Sequence, residues 1–151
     1  MRLSDAGSGD VELLVAHRLN MWRAIHPELA SKVDESEELT REWVRAKLAE
    51  GKLIGFIARA QDGTVAGSGC IWLRDEQPRP TNPRQVVPYL MSMYTEKGFR
   101  RRGVARLIVQ GALKWCREHG YDRVVLHASE EGKQLYEGFG FEPTSEMRLK
   151  F

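Results

Sequence analysis

Cysteine is scarce in this sequence, which has only Cys70 and Cys116 among 151 residues. A disulfide framework needs several paired cysteines, and a cysteine-rich metal site needs closely spaced ones. Cys70 lies in a predicted strand and Cys116 in a predicted helix, so neither requirement is met. We therefore predict two buried thiols, no disulfide framework and no metal site.

Long apolar runs are also absent. No stretch of about 18 consecutive apolar residues occurs, as a membrane-spanning helix would need. Residues 1–10 contain no apolar segment of the kind found in secretory signals. These observations predict a cytoplasmic protein without a membrane partner.

Charge of one sign does not dominate either. The sequence has 23 Lys and Arg against 21 Asp and Glu, for a formal net charge of +2, and only residues 100–102 cluster basic side chains. A broad polyanion-binding face is therefore not expected, and we predict no nucleic-acid partner. The alternative, a small nucleic-acid-binding domain using the arginine triplet, predicts steeply salt-dependent binding to DNA or RNA.

The apolar pattern predicts one domain, residues 1–151, with an α/β order of elements. Apolar periodicity and end signals predict helices over 11–26, 41–50, 103–120 and 132–139. Strands are predicted over 53–60, 64–73, 89–95, 123–127 and 147–151. Asp62 and Gly63 predict a hairpin turn between the first two strands. Three prolines predict a surface loop over 74–85.

A compact turn precedes the third predicted helix. It consists of Arg100, Arg101, Arg102, Gly103, Val104 and Ala105. Gly103 has no side chain, so the backbone can approach a ligand closely. The first N–H groups of the following helix lack helical acceptors and carry partial positive charge. The turn is therefore predicted to bind an anion such as a diphosphate.

The spacing Arg100-x-x-Gly103-x-Ala105 resembles the acyl-CoA loop of the GNAT (general N-acetyltransferase) superfamily. A second match lies downstream, where Leu135 and Tyr136, followed by a glycine-phenylalanine end, resemble the family's leucine-tyrosine motif. The two matches occur in the family's order, separated by a helix and a strand. The resemblance is therefore specific, and it covers roughly the C-terminal half of the chain.

The resemblance implies an α/β fold, a mixed central sheet of about six or seven strands flanked by about four helices. A Rossmann domain is the nearest alternative, but no G-x-G-x-x-G follows a strand. The resemblance also implies acetyl-CoA as co-substrate, no metal, and a small-molecule or peptide amine as acceptor. Many members of the family are dimers, so a homodimer is compatible with it.

In the family, main-chain amides at the helix start hold the CoA diphosphate, and the end of the preceding strand pairs with the pantetheine amides. Because these are backbone interactions, the arginine side chains there count as electrostatic help. The residues that the resemblance assigns to CoA binding are Met93, Tyr94, Thr95, Arg100, Arg101, Arg102, Gly103, Val104, Ala105 and Arg106.

The resemblance assigns Tyr136 the role of general acid. The matching tyrosine lies beside the CoA sulfur, and a phenol with a pKa of about 10 is suited to protonate a departing alkyl thiolate. The structural alternative is a core tyrosine packed beside Leu135 and Phe139.

No carboxylate stands where several family members carry a glutamate, because Val125 occupies that position. The asparagine common in the next loop is also missing after Ser129. Glu96, His127 or a water relay are therefore the candidates for the general base. A base matters most for a lysine amine, which costs about 4.6 kcal/mol to deprotonate at neutral pH, against about 1 for an α-amine.

Acceptor selection in the family falls to the first two helices and to the loop before the final strand. Here these positions include Trp22, His26, the acidic residues within 34–38, and residues 144–146. The acidic run would attract a cationic amine such as a polyamine, an aminoglycoside or a lysine-bearing peptide. Acidic residues are also ordinary before a helix, where the helix dipole favours them.

The preferred interpretation is an N-acetyltransferase that moves an acetyl group from acetyl-CoA to an amine by direct attack in a ternary complex. The alternative, prompted by Val125, is a catalytically inactive CoA-binding sensor or interaction module. Thiol release from acetyl-CoA with a panel of amines distinguishes the two.

Overall fold

The computed structural model describes residues 1–151 and centres on one five-stranded mixed sheet. Its strands lie side by side in chain order: β1 (Arg2–Asp5), β2 (Leu53–Arg59), β3 (Val65–Asp75), β4 (Val86–Thr95) and β5 (Val125–Leu126). The first four are antiparallel to their neighbours, and β5 runs parallel to β4. A parallel pair needs a crossover connection, and a helix between β4 and β5 supplies it.

Helices cover both faces of the sheet. They are α1 (Val11–Ile25), α2 (Ala30–Glu35), α3 (Glu37–Ala49), α4 (Val104–Glu118) and α5 (Lys133–Gly138). On one face α1 packs on β3 and β4 and against α3, while α4 packs on the opposite face. The partly buried side chains of α5 join the cluster around α4. This arrangement confirms the predicted α/β fold.

Each face of the sheet buries its own apolar cluster. The α4 cluster contains Phe56, Ile71 and Leu90 of the sheet together with the apolar stripe of α4, namely Val104, Ile108, Val109, Ala112, Leu113 and Cys116. The opposite cluster joins Leu14 and Val15 of α1 to Val44 of α3 and to the sheet. The helical spacing of the α4 stripe is what places α4 against the sheet.

Both cysteine thiols are free and buried, as the sequence predicts. Burial raises the pKa of Cys70 to about 12 and that of Cys116 to about 11. Both thiols therefore stay protonated and unreactive at neutral pH.

The predicted final strand over 147–151 is wrong. Residues 142–151 form no strand and make no backbone–backbone hydrogen bond. Met147, Leu149 and Phe151 alternate as in a strand, yet they are 94%, 78% and 114% exposed. Alternation predicts an apolar face, but a strand also has to pair with another strand, and this segment pairs with none. The sheet therefore has five strands, fewer than the resemblance implies.

The sequence pattern does not reveal β1. Leu3 is its only apolar residue, so no alternation marks the strand. It forms through backbone pairing with β2, from Arg2 opposite Arg59 to Asp5 opposite Phe56. A strand held mainly by its neighbour's backbone carries little signal in its own side chains.

The second helix begins earlier than predicted. It is α3, which starts at Glu37 rather than Arg41, and the preceding acidic residues end the short helix α2. Arg41 forms ion pairs with Glu37 and Glu38, four and three positions before it. Such pairs stabilise the first turn. Thr40 therefore lies inside the helix instead of capping it.

β4 begins at Val86, earlier than the predicted start at Tyr89. The prediction excluded Pro88 because proline cannot donate to a ladder. Pairing with β5 begins only at Tyr89, so Pro88 needs no hydrogen bond toward β5. β5 is itself shorter than the predicted strand over 123–127.

Replacing Gly67 of β3 with alanine is expected to lower the free energy of unfolding by about 1–3 kcal/mol, measured by urea denaturation. A Cβ there would stand 2.6 Å from the carbonyl oxygen of Tyr94, so β4 would have to shift. Gly9→Ala is the matched control, because a Cβ on Gly9 meets nothing within 4 Å. Equal losses of stability in the two variants would contradict this close approach.

Candidate functional site

A gap opens between β4 and β5 because the two strands separate after two residue pairs. Tyr89 pairs with Val125 and Leu90 with Leu126, while β4 continues to Thr95. The β4 edge over residues 91–95 therefore faces the gap without a neighbouring strand. This edge includes Met93, Tyr94 and Thr95, the residues that the resemblance assigns to pantetheine.

β4 contains a bulge where the gap opens. Ser92 has a φ of 56°, and the β3–β4 register shifts between Ser68 and Cys70. A bulge re-aims the side chain that it carries. Here the Ser92 hydroxyl oxygen accepts a hydrogen bond of 3.0 Å from Nη1 of Arg18 in α1. The bulge therefore links the gap to the α1 face of the sheet.

The turn before α4 presents a row of unused amides. No backbone N–H group of residues 100–106 donates a hydrogen bond to another protein atom. Gly103 has a φ of 80° and Arg101 a φ of 61°, values that curl consecutive amides toward one side. A Cβ on Gly103 would meet nothing within 4 Å, so the space beside it is open. Such a cradle fits a diphosphate, with the positive end of α4 behind it.

Several arginine side chains around this turn make contacts within the protein. Arg100 Nε donates to the Thr95 carbonyl oxygen at 3.2 Å, and Arg102 Nη1 donates to that of Gly98 at 3.4 Å. The Arg106 guanidinium lies 5.3 Å from the centroid of the Phe139 ring. The exposed side chain of Arg101 and the remaining donors of Arg100 and Arg102 add positive charge beside the unused backbone amides.

Tyr136 lies in α5 and packs edge-on against Phe141, with ring centroids 5.9 Å apart. Its ring also joins the apolar cluster around α4. Burial, with no contribution from a hydrogen bond, raises the pKa of its phenol. Tyr136 is therefore a packed residue whose hydroxyl keeps its proton at neutral pH.

His127 follows β5 at the mouth of the gap and is bonded through both ring nitrogens. Its Nδ1 lies 2.7 Å from the Tyr89 hydroxyl oxygen, and its Nε2 lies 2.6 Å from Oε2 of Glu146. Because a carboxylate only accepts, Nε2 carries the hydrogen, and Nδ1 accepts the Tyr89 hydroxyl. The hydrogen bond from His127 lowers the pKa of Glu146, and burial raises the pKa of Tyr89.

Sequence reasoning names His127 but misses its two partners. Tyr89 is 38 residues away and Glu146 is 19 residues away. Tyr89 reads as an ordinary strand residue, and Glu146 as part of an acceptor loop. The parallel pairing of β4 with β5 brings Tyr89 to His127, and the segment after α5 adds Glu146.

Glu96, the other base candidate, is bound to a buried histidine. Its Oε1 lies 3.0 Å from Nε2 of His17, and Nδ1 of His17 lies 2.7 Å from the Ser68 hydroxyl. Desolvation lowers the pKa of His17, which favours the neutral ring. Sequence reasoning misses this contact, because His17 lies among the buried residues of α1.

Several acidic residues around α2 and α3 form ion pairs with arginines. Arg41 binds three carboxylates at 2.7, 3.2 and 2.6 Å, those of Glu12, Glu37 and Glu38. These partners raise the pKa of Arg41. Arg23 binds Asp34 at 2.8 Å. These two arginines bind four carboxylates but carry only two positive charges, so a cationic acceptor would compete with them for the acidic run.

No three His, Cys, Asp or Glu side chains cluster in a way that could hold a metal ion. No helix combines the length and the apolar character needed to cross a bilayer.

The sequence of the chain is similar to those of known acetyltransferases. The model of the acetyltransferase (GNAT) family matches residues 18–141. Aminoglycoside N(6')-acetyltransferase type 1 of Salmonella typhimurium strain LT2 is 24% identical over 148 residues, covering 91% of this chain and 94% of that protein.

Solved structures of acetyltransferases also match the fold of this chain. A GCN5-related N-acetyltransferase from Ralstonia eutropha JMP134 matches with a TM-score of 0.90 and 26% identity, covering 99% of this chain and 97% of that one. A predicted acetyltransferase from Clostridium acetobutylicum, solved with acetyl-CoA, matches with a TM-score of 0.86 and 25% identity, covering 99% and 95%.

Proposed function

The chain belongs to the acetyltransferase (GNAT) family, and on that premise we propose that it transfers an acetyl group from acetyl-CoA to an amine by direct attack in a ternary complex. The observation that carries the proposal is the row of unbonded amides over residues 100–106, beside the gap between β4 and β5. An anion cradle at the end of an open strand edge fits a long ligand with a diphosphate and a chain of amides.

The groups proposed to bind CoA are mostly main-chain groups. The amides of residues 101–106 hold the diphosphate, and the β4 edge at Met93, Tyr94 and Thr95 bonds the pantetheine amides. Arg101 and its neighbours add positive charge. This division leaves the thioester in the gap, close to the bulge at Ser92.

In the proposed reaction the amine nitrogen attacks the acetyl carbonyl carbon, the C–N bond forms and the C–S bond breaks. CoA leaves as a thiolate, which takes the phenolic proton of Tyr136. Burial raises the pKa of Tyr136, so the phenol is still protonated when the thiolate leaves. Holding both reactants in one gap supplies much of the rate.

The amine also has to lose a proton, and the proposed acceptor is the chain of Tyr89, His127 and Glu146. The Tyr89 oxygen takes the proton of the amine while its own hydrogen passes to Nδ1 of His127, 2.7 Å away. Glu146 stabilises the imidazolium that results. Glu96 is the weaker candidate because it is bonded to His17.

The function is tested with purified protein, acetyl-CoA and a panel of amines. Amine-dependent release of thiol is expected. Calorimetry with CoA derivatives gives the binding result separately. Binding without turnover on any amine would favour the sensor alternative, and no heat from any CoA derivative at millimolar concentration would overturn both interpretations.

Replacing His127 with alanine is expected to lower kcat/KM by about tenfold, because water then has to take the proton without the relay. Glu146→Gln leaves the His127 ring in place but removes its carboxylate partner, so a smaller loss of kcat/KM is expected. Steady-state kinetics over a range of pH measure both effects. His119→Ala is the control, since His119 stacks on Trp115, away from the gap. An unchanged pH profile in His127→Ala would mean that Glu96 or water alone accepts the proton of the amine.

A further inference from the structure

Two arginines beside the gap differ from the other arginines of similar burial. Six arginines are partly buried. Four of them, Arg23, Arg41, Arg59 and Arg79, lie within 4.0 Å of a carboxylate. The remaining two, Arg18 and Arg74, have no carboxylate partner. A guanidinium that is taken out of water without a counter-charge is unfavourable, so these two positions need an explanation.

Arg18 projects from α1 toward the bulge of β4. Its single hydrogen bond within the protein runs from Nη1 to the Ser92 hydroxyl oxygen, at 3.0 Å. A guanidinium has five N–H donors, so most of its donors remain available. Desolvation lowers the pKa of Arg18, as expected for a cation without a counter-charge.

Arg74 lies on β3, on the same side of the sheet. Its guanidinium stands 5.0 Å from the centroid of the Tyr89 ring. Arg18 and Arg74 both act electrostatically on Tyr89, as does Arg148 of the C-terminal segment. Glu146 is the one carboxylate that acts on Tyr89 in the same way, and it is already bonded to His127. Positive charge therefore exceeds negative charge around the proposed proton acceptor.

From these observations we infer that the acceptor is an amine that also carries a carboxylate, as an amino acid does, and that Arg18 and Arg74 bind this carboxylate. The inference rests on the proposed function. A carboxylate matches the fork of a guanidinium and would supply the counter-charge that both arginines lack. The amine of the same molecule would then lie beside Tyr89, where its proton can enter the relay.

The inferred acceptor differs from the cationic amine expected from the acidic residues of the sequence. A polyamine or an aminoglycoside would bring several positive charges next to Arg18 and Arg74. Like charges at short range repel, and partial burial strengthens the repulsion. The acidic residues of α3 pair with Arg41 of their own helix, and no carboxylate lies within 4.0 Å of Arg18 or Arg74.

The test compares acceptors that differ only in the carboxylate. A panel of amino acids is assayed beside the matching amino-acid amides, the decarboxylated amines, spermidine and an aminoglycoside. The amino acids are expected to exceed their amides in kcat/KM by about tenfold or more, the effect of one charge-assisted pair. Amides or polyamines that react as well as the acids would overturn the inference.

Variants assign the preference to the two arginines. Arg18→Met and Arg74→Met keep apolar bulk but remove the charge, and each is expected to raise KM for the amino acid and bring the acid-to-amide ratio toward one. Arg18→Lys keeps the charge and is expected to retain part of the preference. Arg59→Met is the matched control, because Arg59 is partly buried but pairs with Asp10. An unchanged ratio in a folded Arg18→Met would overturn the assignment.

Binding separates failure of the inference from failure of the proposed function. Calorimetry with the CoA-loaded protein measures the binding of the amino acid and of its amide without requiring turnover. Carboxylate-dependent binding that is lost in Arg18→Met, together with no acetylation of any amine, would reject the transferase but keep the carboxylate site. Equal binding of acid and amide would reject the site while leaving the transferase open.

Discussion

Replacing Tyr136 with phenylalanine is expected to lower kcat by about 10²-fold to 10⁴-fold, because the thiolate then leaves without a proton donor. The ring remains, and with it the packing against Phe141. Acetyl-CoA is therefore expected to bind within about twofold of its wild-type affinity. Steady-state thiol release gives kcat, and calorimetry gives Kd for acetyl-CoA. A large loss in kcat beside an unchanged Kd identifies an interaction made in the transition state.

Tyr121→Phe is the matched control for this variant. Tyr121 is also a partly buried tyrosine beside the α4 cluster, with its ring 6.0 Å from that of Trp115. It has no proposed part in the reaction, so kcat is expected to stay at the wild-type value. Full activity in Tyr136→Phe would mean that the thiolate leaves unassisted and that Tyr136 serves packing alone.

The pH dependence of kcat tests the same role. Burial raises the pKa of Tyr136, so the acid form persists from neutral pH to above the usual phenol value of about 10. On the alkaline side, wild-type kcat is expected to fall as pH rises through this raised pKa, where the donor is lost. The fall should be absent in Tyr136→Phe, which has no proton to lose.

The proposed CoA cradle could be predicted from sequence because its determinants are neighbours in the chain. Gly103 is followed at once by the apolar stripe of α4, so one short segment encodes both the turn and the helix behind it. The left-handed φ of Gly103 is a conformation that glycine adopts without strain. Tyr136 likewise sits in a short motif that covers a single helix.

The proposed proton relay and the two arginines without a carboxylate partner could not be predicted in this way. Tyr89 meets His127 across 38 residues, and Arg18 meets Ser92 across 74. These contacts depend on which strands become neighbours and on a bulge in β4, and neither leaves a periodic signal in the side chains. The acidic residues near α3 are different, since their partner Arg41 lies one turn away and the spacing alone could have indicated ion pairs.

Replacing Gly103 with valine is expected to raise Kd for CoA by about 100-fold, the equivalent of one or two charge-assisted hydrogen bonds. The φ of 80° at Gly103 is strained for any residue with a Cβ and most of all for a β-branched one. The backbone relieves this strain by rotating, and rotation turns the amides of residues 100–106 away from a common centre. Calorimetry with CoA measures the effect.

Gly63→Val separates loss of the cradle from loss of stability. Gly63 has a φ of 90°, and a Cβ there also meets nothing within 4 Å, but the residue lies in the turn between β2 and β3. The two valine variants should therefore lose similar amounts of unfolding free energy, while only Gly103→Val loses affinity for CoA. Wild-type affinity in a folded Gly103→Val would mean that side chains rather than main-chain amides hold the diphosphate. The arginines around the turn would then have to be reassigned as its principal ligands.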